Sequence, residues 1–86
     1  MYHEYTQKIL SIIENIKNIK PLPALKNLDA IVEGAIGGEW QIDLEDICTN
    51  LTEFNIPVTQ EIHDEISSMM DELNIDKSYL DGIVVQ

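Results

Sequence analysis

The sequence has few cations, a single cysteine and no long apolar run, and each shortage removes a class of explanation. Sixteen acidic residues face only five basic ones, a formal charge of −11 on 86 residues. A negative field of that size around so small a molecule repels phosphate backbones and anionic lipids, so nucleic acid and membranes are not expected as partners. Cys48 stands alone and has no partner for an internal disulfide, and residues 1–6 lack the basic start and apolar stretch of a secretory signal. Both features point to the cytoplasm. No apolar run approaches the roughly 20 residues that cross a bilayer. Period-two alternation, an Asn-Gly hairpin signal and internal repeats are also absent, which leaves a β-sheet without support.

Apolar residues make up 44% of the chain and are spread along its whole length, a composition that favours a folded domain over disorder. The length suits one domain with one core. Their spacing is helical. Tyr5, Ile9, Ile12, Ile13 and Ile16 recur every three or four residues between Tyr2 and Ile19, which predicts a first helix. Pro21 and Pro23 interrupt that pattern. A second helix is expected from about Pro23, turning Leu25, Leu28, Ile31, Val32 and Ala35 inward and ending at Gly37 and Gly38.

A third helix opens at about Glu39 with the stripe Trp40, Leu44, Ile47, Cys48 and Leu51, and stops near Phe54 and Asn55 ahead of Pro57. Thr59 reads as the N-cap of a fourth, carrying Ile62, Ile66, Met69, Met70 and Leu73. Asp76 caps a last short helix holding Tyr79, Leu80, Ile83 and Val84, or else Ile83, Val84 and Val85 run extended against the core. Gly82 weighs against the regular helix. The expected architecture is all-α, a single bundle of four or five antiparallel helices over residues 1–86.

Catalytic constellations are missing. Cys48 falls on the apolar stripe of the third helix and reads as a buried thiol rather than a reactive one. His3 and His63 are far apart, and neither has a partner at the His-Glu-x-x-His spacing; His63 reads instead as a surface pair with Asp64. No EF-hand loop is present. None of Ser11, Ser67, Ser68 and Ser78 follows an aspartate, so the attachment signature of acyl carrier proteins, which are also small acidic bundles, is lacking. No metal, no cofactor and no acid–base pair is indicated, and the chain is not expected to be an enzyme.

The acids are polarised along the chain. Residues 27–76 hold thirteen acidic side chains and no lysine or arginine. On the third helix Glu45, Asp46, Asn50 and Glu53 point away from the stripe, with Glu39 and Asp43 on its flank. On the fourth, Glu61, Asp64, Glu65, Ser68, Asp71 and Glu72 do the same. Neither helix offers a basic residue at i+4 to offset them. The bland explanation is a solvated acidic surface; the functional one is a docking surface for a positively charged protein. Ile42 lies off the stripe among acids and suits an apolar anchor. Trp40 fits either the core or the interface, and the Met69–Met70 pair either the interior or a dimer contact.

The run GEWQIDLEDICTNLTE from Gly38 to Glu53, followed by NIPVT from Asn55 to Thr59, resembles the MafI family and related small immunity proteins of bacterial polymorphic toxin systems. Their Gly-Glu-Trp-like opening leads a helix with a Leu-Glu pair, then an Ile-Pro turn into a helix with a Glu-Ile start. The likeness covers roughly Leu28 to Leu80, and Asp43 stands where a small residue is more typical. It implies a cytoplasmic antidote that binds the toxic C-terminal domain of a cognate toxin, many of which are nucleases with basic clefts. Such a partner would be met by Glu39, Ile42, Asp43, Asp46 and Glu53 together with Glu61, Asp64 and Glu65. The alternative is a small helical adaptor or regulatory protein with an unrelated basic partner.

Overall fold

Isoleucine spacing sets the first helix. In the computed structural model, which describes residues 3–19 and 28–86, α1 spans Glu4–Ile19 and buries Ile9, Ile12, Ile13 and Ile16. β-branched residues are only moderate helix formers. Burial therefore outweighs propensity here, at about 1.5–3 kcal/mol for each fully buried aliphatic side chain.

The next helix, α2 (Leu28–Gly37), buries Ile31 and Ala35, with Leu28 and Val32 partly covered. Its expected start at Pro23, and Leu25, lie outside the described residues. The third, α3 (Trp40–Glu53), places Leu44, Ile47, Cys48 and Leu51 inside, and α4 (Gln60–Leu73) places Ile62, Ile66, Met69 and Met70 there. Both methionines are thus interior, and Cys48 is a buried thiol that burial, then Glu45, pushes up to about 12. The result is a small all-α bundle. Among the described residues α3 touches every other helix, α1 touches α2, α3 and α4, and α2 touches only α1 and α3.

Three helices end in the same way. Gly38, Asn55 and Asn74 adopt left-handed geometry, with φ of 86°, 50° and 61°. After each, the next amide reaches back across the last turn: Glu39 N–H to the Gly34 carbonyl at 2.8 Å, Ile56 to Leu51 at 3.0 Å, and Ile75 to Met70 at 2.9 Å. This closure satisfies carbonyls that a helix end otherwise leaves unpaired. In two cases the residue donating the bond, Ile56 or Ile75, is itself buried, so the turn feeds an apolar anchor into the core.

Thr59 caps α4 as its sequence position suggests, accepting from the Ile62 amide at 3.2 Å. Each of the two expectations for the C-terminal segment is met in part: the short helix stops at Leu80, so Ile83 and Val84 lie outside it, and Val84 and Val85 of the extended tail are exposed. Asp76 caps a 3-10 helix, Lys77–Leu80, by accepting from the Ser78 amide at 2.9 Å. The tail then runs extended beside the α3–α4 connection, where Val58 donates to the Val84 carbonyl and accepts from the Gln86 amide, each at 2.9 Å. No helix among the described residues is long and apolar enough to cross a membrane.

Replacing Thr59 with alanine removes the only side-chain cap on α4 and is expected to cost about 1 kcal/mol, whereas Thr59→Ser retains most of the stability. Urea unfolding followed by circular dichroism reads both values.

Candidate functional site

The solvent side of α3 follows from the helical repeat. Ile42, Asp46, Thr49 and Glu53 succeed one another at spacings of four, three and four residues, so they form one stripe opposite Leu44, Ile47 and Leu51. All four are exposed. Ile42 is 54% exposed, and Ile36, one residue before the end of α2, is 48% exposed. Two large aliphatic side chains therefore stand in solvent within a turn of the α2–α3 corner, beside the acids Glu39 and Asp46. Ile36 had no signal in the sequence, because it follows buried Ala35 on a helix too short for a clear apolar phase.

Asp43 differs from the expectation of a flanking docking acid. It is only 2% exposed, and its Oδ2 has no hydrogen-bond partner. Gly34 of α2 makes this possible: a Cβ at that position would collide with Asp43 Oδ1 and lie 3.1 Å from Cγ. The carboxyl thus fills the space that any other residue at position 34 would take. Asn50, seven residues on and so on the same flank, is 8% exposed rather than turned outward, and its side chain donates to the Asp46 carbonyl at 2.8 Å. The clue to the placement of Asp43 was a glycine inside α2, unfavourable there unless something approaches closely.

Electrostatics at Asp43 oppose ionisation. Burial first, then the neighbouring charges of Asp46 and Glu39, push its pKa from 3.8 up to about 7. Its place in the first turn of α3 favours the carboxylate, but the helix dipole supplies only about 0.3–1 kcal/mol and loses to desolvation.

Trp40 ties the corner together. It is partly buried against the core, and its indole N–H is shared between Thr6 Oγ1 at 3.0 Å and the Ala35 carbonyl at 3.1 Å. The Thr6 hydroxyl donates to that same carbonyl. His3 and Tyr5 pack on the indole, with ring centroids 4.4 and 5.1 Å away. Trp40 is therefore a joint between α1, α2 and α3 rather than a free interface residue.

The acids expected on α4 divide into two groups. Glu61, Asp64 and Glu65 are exposed near its start, where Asp64 accepts from Gln60 at 2.8 Å and lies 3.6 Å from His63 Nδ1. Toward its end, Lys77 pairs with Asp71 at 2.8 Å and Lys8 approaches Glu72 at 3.9 Å. Cations remote in sequence thus reach α4, which the absence of i+4 lysines did not reveal. Glu39, Asp46, Glu53, Glu61 and Glu65 have no ion pair among the described residues. Glu53 also borders a shallow cleft of about 310 Å³ between α3 and the 3-10 helix, with Thr49, Thr52 and Tyr79. Among the described residues no group of three or more histidines, cysteines or acids is placed to hold a metal ion. No family model, curated protein or solved structure shows significant similarity to the chain.

Two consequences are measurable. The folded protein holds the Asp43 proton more tightly than the unfolded chain, so this group's stabilisation is complete below about pH 3.8 and is lost as the pH rises through about 7. Asp43→Asn is expected to remove that decline, gaining about 2–4 kcal/mol over the wild type at pH 8 and little at pH 4 in paired urea titrations. Gly34→Ala is expected to cost more than about 1 kcal/mol despite the better helix propensity of alanine. Asp43→Ala in the same chain should erase that cost, a coupling that a double-mutant cycle measures directly.

Proposed function

We propose that the chain is an immunity protein that acts in the bacterial cytoplasm by binding the toxic C-terminal domain of a cognate polymorphic toxin, a basic domain of the nuclease kind, and blocking it. The observation that carries this reading is the α3 stripe: acids with no cationic partner among the described residues, set around the exposed Ile42 and close to the exposed Ile36. Unopposed like charges lower stability, and a surface selected for solubility alone is better served by interspersed lysines. A partner with a basic surface gains from such a face in encounter rate and in discrimination, while a desolvated aliphatic side chain at its centre supplies affinity. Nuclease domains fit this description because their clefts must hold phosphates. The sequence resemblance from Gly38 to Thr59 supports the same conclusion.

The proposed contact set is the exposed part of the expected one. Glu39, Ile42, Asp46 and Glu53 lie on α3 or at its start, and Glu61, Asp64 and Glu65 at the start of α4, whereas Asp43 supports the face from below. Inhibition on this reading needs no chemistry from the chain. Occupying or flanking the basic cleft excludes the nucleic acid by charge and by volume.

The test is to recover the partner on immobilised protein from cells of its source, identify it by mass spectrometry, and assay whether the chain suppresses its toxicity. Recovery of a toxin domain that the chain silences is the expected result; recovery of a basic protein with no toxic activity would replace the immunity reading with that of an adaptor. With the partner in hand, Glu39→Lys, Asp46→Lys and Glu53→Lys combined should weaken binding by more than about a hundredfold, with the loss smaller at high salt. Unchanged affinity would remove α3 from the interface.

A further inference from the structure

The α2–α3 crossing holds a buried carboxyl that lies outside the proposed contact set. Asp43 is buried against the Gly34 backbone, its Oδ2 unpartnered. A neutral carboxyl tolerates that place; ionisation there is opposed by burial, and no counter-ion lies beside the group among the described residues. The helix it leans on is the shortest of the four α-helices. Ten residues long, α2 contains two glycines, buries only Ile31 and Ala35, and contacts neither α4 nor the 3-10 helix among the described residues. Segments with so little buried apolar surface are where local opening occurs.

We propose that Asp43 is a proton-dependent latch between α2 and α3, which holds α2 in place while the carboxyl is neutral and loosens it when the carboxyl ionises.

Among the described residues no cation is positioned to prevent this. Lys8 on α1 is engaged with Glu4 and Glu72, Lys17 with Glu14, and Lys77 of the 3-10 helix with Asp71 and Ser67. His63 on α4 lies beside Asp64. Of the described acids, Glu39 and Asp46 lie on either side of Asp43 along the chain and act on it by charge, with Asp29 and Glu33 on α2 and Glu4 on α1. His3 stacks on Trp40 at the same corner and needs a control of its own, because histidine commonly changes charge near neutrality. Burial and the charges of Asp46 and Glu39 raise the Asp43 pKa to about 7, which places the transition within the physiological range. Release of α2 would move Ile36 and free the Glu39 amide from the Gly34 carbonyl, so the geometry of the exposed corner follows the protonation of one buried group. The latch does not depend on which partner that corner binds.

The experiment is a pH titration of the full isotope-labelled chain by NMR between pH 5 and 8.5. It follows the Asp43 carboxyl carbon, the Gly34 and Ala35 amides, and amide exchange along α2 and α4 corrected for intrinsic pH dependence. The expected result is that Asp43 titrates well above the exposed aspartates, that the α2 amides shift with the same midpoint, and that α2 exchange rises about tenfold per pH unit beyond it while α4 stays protected. A His3→Gln background should leave this unchanged. Asp43→Asn should abolish the α2 response, and Glu39→Gln with Asp46→Asn should move its midpoint to lower pH, a shift that a defect in folding alone would not produce. Titration of Asp43 among the exposed carboxylates, or equal α2 exchange at pH 5 and 8.5, overturns the proposal.

Discussion

Cations are the scarce component of this molecule, and where they are committed decides which surface stays charged. Each of the three described lysines is paired with acids on α1 or α4, namely Glu4 and Glu72, Glu14, and Asp71. Exposed pairs of this kind contribute only about 0–1 kcal/mol each, so they do not hold the bundle together. Their effect is on distribution. They neutralise the far end of α4, and among the described residues no lysine is paired with the outer stripe of α3 or with Glu61 and Glu65 at the start of α4. A chain with sixteen acids and five cations must leave most of its acids unpaired, and the fold gathers several of them beside Ile42 instead of scattering them.

Stability comes from elsewhere. Branched aliphatic residues from all four helices fill one core, and the left-handed Gly38, Asn55 and Asn74 stop α2, α3 and α4 while returning their last carbonyls to hydrogen bonds. The α2–α3 corner adds Trp40, which satisfies the Ala35 carbonyl jointly with Thr6 and so binds three helices at one point. That joint fixes the entry angle of α3. With the angle set, the Asp43 flank of α3 must meet α2, and only a residue without a side chain at position 34 leaves room for the carboxyl.

The helices were legible because their apolar residues keep a 3.6-residue phase over several turns, most clearly Ile9 to Ile16 and Ile62 to Met70. Thr59 and Asp76 announced their caps through residue type and position. Asn55 and Asn74 were harder to read, since asparagine carries a Cβ and adopts left-handed geometry only in context. On a helical wheel Asp43 lies about 40° from Ile47, at the edge of the stripe, where the identity of the neighbouring helix decides between water and core. Nothing local to α3 contains that information. It sits nine residues earlier, in Gly34. The exposed acids at 39, 46, 53, 61, 64 and 65 were legible for the opposite reason, since each lies well away from its helix's apolar phase.

The docking face proposed on α3 rests on its unpaired acids, on the exposed Ile42 and on the exposed Ile36 at the neighbouring end of α2. The measurement that tests this most directly is hydrogen–deuterium exchange of the chain alone and saturated with the partner it retains from its source cells. The account predicts that new protection concentrates in residues 36–53, with a smaller share at the start of α4. Protection confined to α1 or to the C-terminal tail, with residues 36–53 exchanging as in the free chain, would contradict it.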